Sequence, residues 1–200
     1  MLVIAGHNGA GKSTCYRVHY SDLLRPHIQE HIDPDAIEGE IRAAYEGQTH
    51  NLTIKDFSIL AQKESNQLRL QYFENKIPFS FETVLSDEIG DKVGFMKKAV
   101  DSGYFVALIA VGLSSPCKSR CRVDLRVERG GHDVPTSKIF ERYPRVIDNF
   151  RNAVGVVSLA IVVDNSDENQ DDENGCYRPL SLHVGGKIVG TADYIPAWWR

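Results

Sequence analysis

The chain has 200 residues, 42% of them hydrophobic and 25% charged, a balance that suits one ordinary globular domain with a single substantial core. Its apolar stretches fall far short of the roughly 20 residues that cross a bilayer, which excludes a helical membrane span. A formal net charge of −4 gives no electrostatic basis for general binding to nucleic acid or to a membrane surface.

Leu2 to Ala5 is predicted as a buried strand, followed by GHNGAGKST and a helix from Lys12 to about Tyr20. This string sets Gly6, His7, Asn8, Gly9, Ala10, Gly11, Lys12, Ser13 and Thr14 between a strand and a helix, the context a phosphate-binding loop requires. Gly6, Gly9 and Gly11 lack the Cβ atoms that would keep backbone N–H groups from closing on a polyphosphate. The following helix points its positive end at the same anion. Lys12 supplies charge for the β- and γ-phosphates of ATP, Ser13 is the expected Mg²⁺ ligand, and Thr14 starts to turn the helix away. A functional loop that begins at Gly6 leaves no room for a removable leader, so a cytoplasmic location is expected. Cys15, Cys117, Cys121 and Cys176 form no CxxC pair and are expected as reduced thiols.

A short second strand ends near Ile32 and Asp33. The spacing of Ile37, Ile41 and Ala44 then predicts a helix from Pro34 to Tyr45. A longer helix is expected from Ile54 to Asn75, capped by Thr53 or Asn51. Pro78 to Leu85 reads as a strand, Asp87 to Asp101 as a helix, and Tyr104 to Leu113 as a strand buried on both faces. Ser114, Ser115 and Pro116 signal another helix start, and Val156 to Val163 a further buried strand. Strands alternating with helices predict a three-layer α/β fold of the P-loop type with a mostly parallel central sheet, one domain over residues 1–200. Asp164 to Gly175, strongly acidic and without a hydrophobic residue, reads as a solvated loop or a disordered excursion. Residues 176–200 then form a C-terminal hairpin around Gly185 and Gly186, with a tail whose Trp198 and Trp199 pack onto the body.

Three further constellations carry chemistry. In HIDPDAI, Asp35 follows the carboxyl end of a strand, where open α/β sheets place their ligands. It reads either as the acceptor of a proton from an attacking hydroxyl or as a first-turn residue favouring the helix dipole. In SFETVLS, Glu82 is suited to bonding substrate hydroxyls or a magnesium-bound water, and Thr83 to reaching a phosphate or the substrate. Between about 115 and 150, Arg122, Arg126 and Arg129 share one side of a helix, GGHDVP breaks it before Thr136, and Arg142 and Arg145 flank Pro144. Two arginine-bearing helical arms on a Gly-rich hinge make a lid that brings guanidinium charge onto a transferring phosphoryl group. His132 reads as a hinge histidine bonding its own loop. Asp164 reads first as turn chemistry and second as a wall of the adenine site.

GHNGAGKST, IDPDAI, SFETVLS and above all RVERGGHDVPTSKIFERYPRVIDNF resemble the zeta toxin family of P-loop kinases over roughly residues 1 to 155. The resemblance implies Asp35 as proton acceptor, Glu82 as a substrate contact, and Arg126, Arg129 and Arg142 as lid residues on the ATP phosphates. It further implies ATP and Mg²⁺ use and transfer to a hydroxyl of a small molecule, such as the nucleotide sugar UDP-N-acetylglucosamine, with a small antitoxin-like protein as partner. The chain departs from the family in its short length beside toxin-type members and in His7, which replaces a proline often found in the loop. The alternative is an ATP-binding switch or interaction module with little phosphotransfer, held by a partner through the tryptophan-bearing tail.

Overall fold

A computed structural model describes residues 1–24, 26–28, 30–46, 51–131, 133–167 and 176–200. His132, read as a hinge, and the acidic loop beyond Asp167 lie outside the described residues.

Five parallel strands form the centre: β1 (Leu2–Gly6), β2 (Glu30–Ile32), β3 (Phe79–Thr83), β4 (Ala107–Gly112) and β5 (Leu159–Asp164). Two antiparallel strands, β6 (Arg178–Val184) and β7 (Lys187–Thr191), extend the sheet, whose order is β2-β3-β1-β4-β5-β6-β7. Strand side chains alternate between faces, and the core divides accordingly. Val3, Ala5, Leu108, Ala110 and Val162 join one cluster with Phe79, Phe81, Met96, Val146 and Phe150. Leu2, Ile4, Ile109, Val111 and Val163 join the other with Cys15, Tyr16 and Tyr20. The first cluster is closed by α4 (Ile54–Glu74), α5 (Asp91–Asp101) and α7 (Thr136–Val154). The second is closed by α1 (Lys12–Cys15) and the turn that follows it. This is the three-layer α/β architecture with a mostly parallel sheet and a C-terminal hairpin.

Local chemistry explains the element boundaries. Pro34 opens α3 (Pro34–Tyr45), whose first turn is capped by Asp33, and Thr53 and Asp56 form a reciprocal capping box at the start of α4. Ser115 caps α6 (Pro116–Glu128) by accepting the Lys118 N–H. Gly185 and Gly186, at φ +55° and +76°, make the two-residue turn between β6 and β7.

Several boundaries differ from expectation: β3 ends at Thr83 rather than Leu85, β4 starts at Ala107 rather than Tyr104, and three further differences have a local cause. The helix after the phosphate loop is interrupted by a π-helical turn, Tyr16–Tyr20, before α2 (Ser21–Leu24) resumes, and the Ser21 hydroxyl donates to the Arg17 carbonyl at 2.7 Å. Helix α5 starts at Asp91 rather than Asp87, because Gly90 sits at φ +71° and the Asp87 carboxylate instead accepts the Lys92 N–H. Strand β5 starts at Leu159 rather than Val156, because Val156 and Val157 still donate to the Ala153 carbonyl and so close α7. No helix among the described residues is long and apolar enough to cross a membrane.

Candidate active site

Strand β1 runs out at Gly6, under α6 and beside β4. A Cβ at Gly6 would lie 2.6 Å from the Val111 carbonyl, and one at Gly11, where φ is +86°, 2.7 Å from the Tyr177 hydroxyl. The loop's carbonyls are held from outside it. Ser119 of α6 donates to Asn8 at 2.6 Å, Asn165 to Ala10 at 2.9 Å and Tyr177 to Gly11 at 2.6 Å. Fixing the carbonyls fixes the peptide planes, and with them the direction of the loop's N–H groups. Lys12 Nζ lies 3.2 Å from the His7 carbonyl, folded across the loop. The His7 ring is buried and stacked on Tyr143 at 4.5 Å, with Phe150 edge-on, and burial pushes its pKa down to about 4. It is therefore a neutral packing ring beneath the loop rather than a charge within it.

Ser13 opens α1 and donates to Glu82 Oε2 at 2.8 Å, so the residue expected to hold Mg²⁺ meets the carboxylate at the end of β3. Glu82 is 5% exposed, and its Oε1 is buried without a hydrogen-bond partner, 3.6 Å from His31 Nε2. His31 is held in turn by Ser80, opposite it in the β2–β3 register, at 2.8 Å, and by Tyr16 of the π-helical turn, stacked at 3.8 Å. A buried, half-satisfied carboxylate beside a serine hydroxyl fits a divalent cation or its bound water.

Asp33 and Asp35 follow β2. The Asp33 carboxylate caps α3 by accepting the Asp35 N–H at 2.9 Å, and burial, with Glu82 nearby, raises its pKa. Asp35 is more open, with its side chain 56% exposed, and pairs with Arg126 of α6 at 3.2 Å across the cleft. Thr83 is buried, and its hydroxyl accepts the N–H of Leu85, whose φ of +56° turns the chain out of the sheet.

One cleft of about 1880 Å³ collects these groups: Lys12, Ser13, Asp35, Glu82 and Thr83, together with Arg126, Arg129 and Arg142. Arg126 and Arg129 come from the end of α6, and Arg142 from α7 beside Lys92. Asp164 closes β5 and, with Asn165 and Ser166, is buried rather than part of a solvated loop: Ser166 donates to its carboxylate, and so does Arg178, its cross-strand partner in β6, at 2.7 Å. Sequence reasoning passed over Asn165, Tyr177 and Ser119, which clamp the loop from as far as 166 residues away and carry no motif. It also passed over the cleft-facing side of α4, Ser58, Gln62, Ser65, Asn66 and Arg69. Polar residues recurring at helical spacing along the expected helix from Ile54 to Asn75 were the available signal.

The family model for Zeta toxin matches residues 1–175. No curated protein matches the chain in sequence. Among solved structures, the AvrRxo1-ORF1:AvrRxo1-ORF2 complex with sulphate ions aligns with a TM-score of 0.66 and 14% identity. That match covers 94% of this chain, which spans only 59% of the matched one. The PezAT chromosomal toxin–antitoxin system of Streptococcus pneumoniae aligns at 0.56 with 16% identity, over 88% of this chain and 72% of that one. A structure from Chloroflexus aurantiacus aligns at 0.54 with 15% identity, over 86% and 89%. At these identities the solved structures speak for the fold, and the match over most of the sequence speaks for the family: the chain belongs to the Zeta toxin family.

Proposed function

We propose that the protein is an ATP-dependent phosphotransferase that moves the γ-phosphate of ATP to a hydroxyl of a small molecule. The observation that carries this reading is the convergence of the phosphate loop and the ends of β2 and β3 on one cleft, with Ser13 and Glu82 in direct contact at 2.8 Å. The loop amides and Lys12 bind the phosphates. Ser13, with Glu82 behind it, would hold Mg²⁺, which neutralises phosphate charge when bound. Asp35 takes the proton of the acceptor hydroxyl as its oxygen forms the new bond to the γ-phosphorus and ADP leaves. Thr83 orients the acceptor, and Arg126, Arg129 and Arg142 stabilise charge on the transferring group. ATP gives Arg126 a more highly charged partner than Asp35, which frees that carboxylate for the acceptor. Nucleotide sugars such as UDP-N-acetylglucosamine are the first acceptors to test, and a small antitoxin-like protein the first partner. A cytoplasmic location belongs to the same reading.

Incubation with γ-labelled ATP and an acceptor pool tests the proposal by transfer of label. Asp35→Asn is expected to lower transfer by at least about a hundredfold with ATP affinity kept, the range of general-base loss. Full transfer by Asp35→Asn with loss in Asp33→Asn would move the base to Asp33. Tight ATP binding with no labelled product in any pool would favour the switch.

A further inference from the structure

The half of the cleft away from the phosphate loop carries an uneven charge. Arg69 of α4, Lys92 of α5 and Arg142 of α7 all line it, with Asp87, 3.9 Å from Lys92 Nζ, and the exposed Asp91 as the carboxylates acting on Lys92. Arg69 is held rigidly: its guanidinium lies over the rings of Phe81 and Phe95 at 5.4 and 4.9 Å, and its Nε is buried without a hydrogen-bond partner. Burial lowers the pKa of both Arg69 and Lys92, and the charges of Arg69 and Arg142 add to the effect at Lys92. Three cations face two carboxylates, of which Asp87 is partly buried and Asp91 exposed, so positive charge is in excess in a partly desolvated pocket. Such an arrangement costs free energy unless an anion completes it. The polar groups of α4, Ser58, Gln62 and Asn66, line the same cleft as this cluster and Asp35.

We propose that Arg69 and Lys92, with Arg142 beside Lys92 in the same cleft, form a subsite for an oxyanion on the acceptor, a phosphate or a carboxylate. The inference rests on the phosphotransferase reading and deepens it: the acceptor is an anionic hydroxy compound, docked by its charged end so that a hydroxyl reaches Asp35. Arg69 supplies a preorganised planar fork, Lys92 a movable point charge, and neutral sugars or polyols leave both unmatched.

The test is calorimetric titration of the full chain with its phosphate loop saturated by a non-hydrolysable ATP analogue and Mg²⁺. The probes are ribose 5-phosphate, ribonate and ribose. The phosphate or the carboxylate probe is expected to bind at least about tenfold tighter than ribose, and the better of the two identifies the oxyanion. Lys92→Met and Arg69→Gln should each weaken that probe about tenfold and leave ribose and the ATP analogue unchanged. Arg69→Lys, which keeps the charge and the aliphatic stem but not the planar stack, limits the disturbance at Phe81 and Phe95 and should retain part of the preference. Equal binding of all three probes, or an anion preference untouched by both variants, overturns the subsite. Label transfer to neutral acceptors with no dependence on Arg69 or Lys92 would leave the kinase standing and the subsite refuted. Anion binding that depends on these residues, without transfer to any acceptor, would do the reverse.

Discussion

At the residue scale, the loop's departure from its family pattern is the most informative position. His7 fills a buried slot between Tyr143 and Phe150, and its pKa falls from 6.5 to about 4 because the fold strips its water. Between those two values the unfolded chain binds a proton that the folded chain refuses, so this ring's contribution is full above pH 6.5 and is lost as pH falls toward 4. A shift of this size corresponds to about 3 kcal/mol at most. Urea unfolding of wild type and His7→Phe at pH 7.5 and pH 5 tests this: wild type should lose more stability on acidification, and equal losses would remove His7 as the cause. Sequence alone reached the position but not its role, since a histidine in a glycine-rich string carries no sign of the two rings, more than 130 residues away, that bury it. Glu82 was more legible, because Phe81 and Val84 beside it announced a buried strand in which an acidic residue needs a reason to exist.

At the element scale, α6 does more than carry arginines over the cleft. It rests directly on the loop: a Cβ at Gly9 would come 3.0 Å from Arg122 Cβ and 3.1 Å from the Ser119 carbonyl, and the Ser119 hydroxyl holds the Asn8 carbonyl. The N-terminal half of the helix is thereby an anchor, and its C-terminal end, with Arg126 and Arg129, is the part that reaches the cleft. Ser119→Ala removes a hydrogen bond to the part-buried Asn8 carbonyl at a cost of about 1 kcal/mol and loosens the peptide plane that aims the loop's amides. Affinity for Mg-ATP should fall several-fold, read by equilibrium binding, alongside a modest drop in melting temperature. Unchanged affinity would mean that β1, Asn165 and Tyr177 suffice to shape the loop. Pro116 and Ser115 announced where this helix starts, and Thr136 the start of α7, since proline and capping residues act within one turn. The π-helical turn at Tyr16–Tyr20 left no such mark, because over five residues its pattern of side chains is indistinguishable from that of an α-helix.

At the scale of the whole molecule, the apolar runs that became β1 and β4 disclosed the parallel sheet, because a strand covered on both faces cannot alternate with polar residues. The two tryptophans disclosed that the C-terminal tail packs onto the body, but not which distant elements it joins, because those partners carry no local pattern. Trp198 is 8% exposed and sets the outer edge of its six-membered ring against Gly112 at the end of β4, where an added Cβ would fall 2.0 Å from that ring. The Trp199 indole donates to Ser181 at 2.9 Å, and Arg151 of α7 donates to the carbonyls of Trp198 and Arg200 at 3.4 and 3.0 Å. The tail therefore ties β4, β6 and α7 together close to the edge that bears the phosphate loop. Removing a ring so buried costs about 3–5 kcal/mol, a large share of the 5–15 kcal/mol that holds a typical domain. Trp198→Ala is expected to lower the melting temperature by about 10 °C. It should weaken ATP binding only in proportion to the unfolded fraction. A variant that melts like wild type but loses a co-purifying protein would instead make the tail a docking element, and would shift the balance from enzyme toward switch.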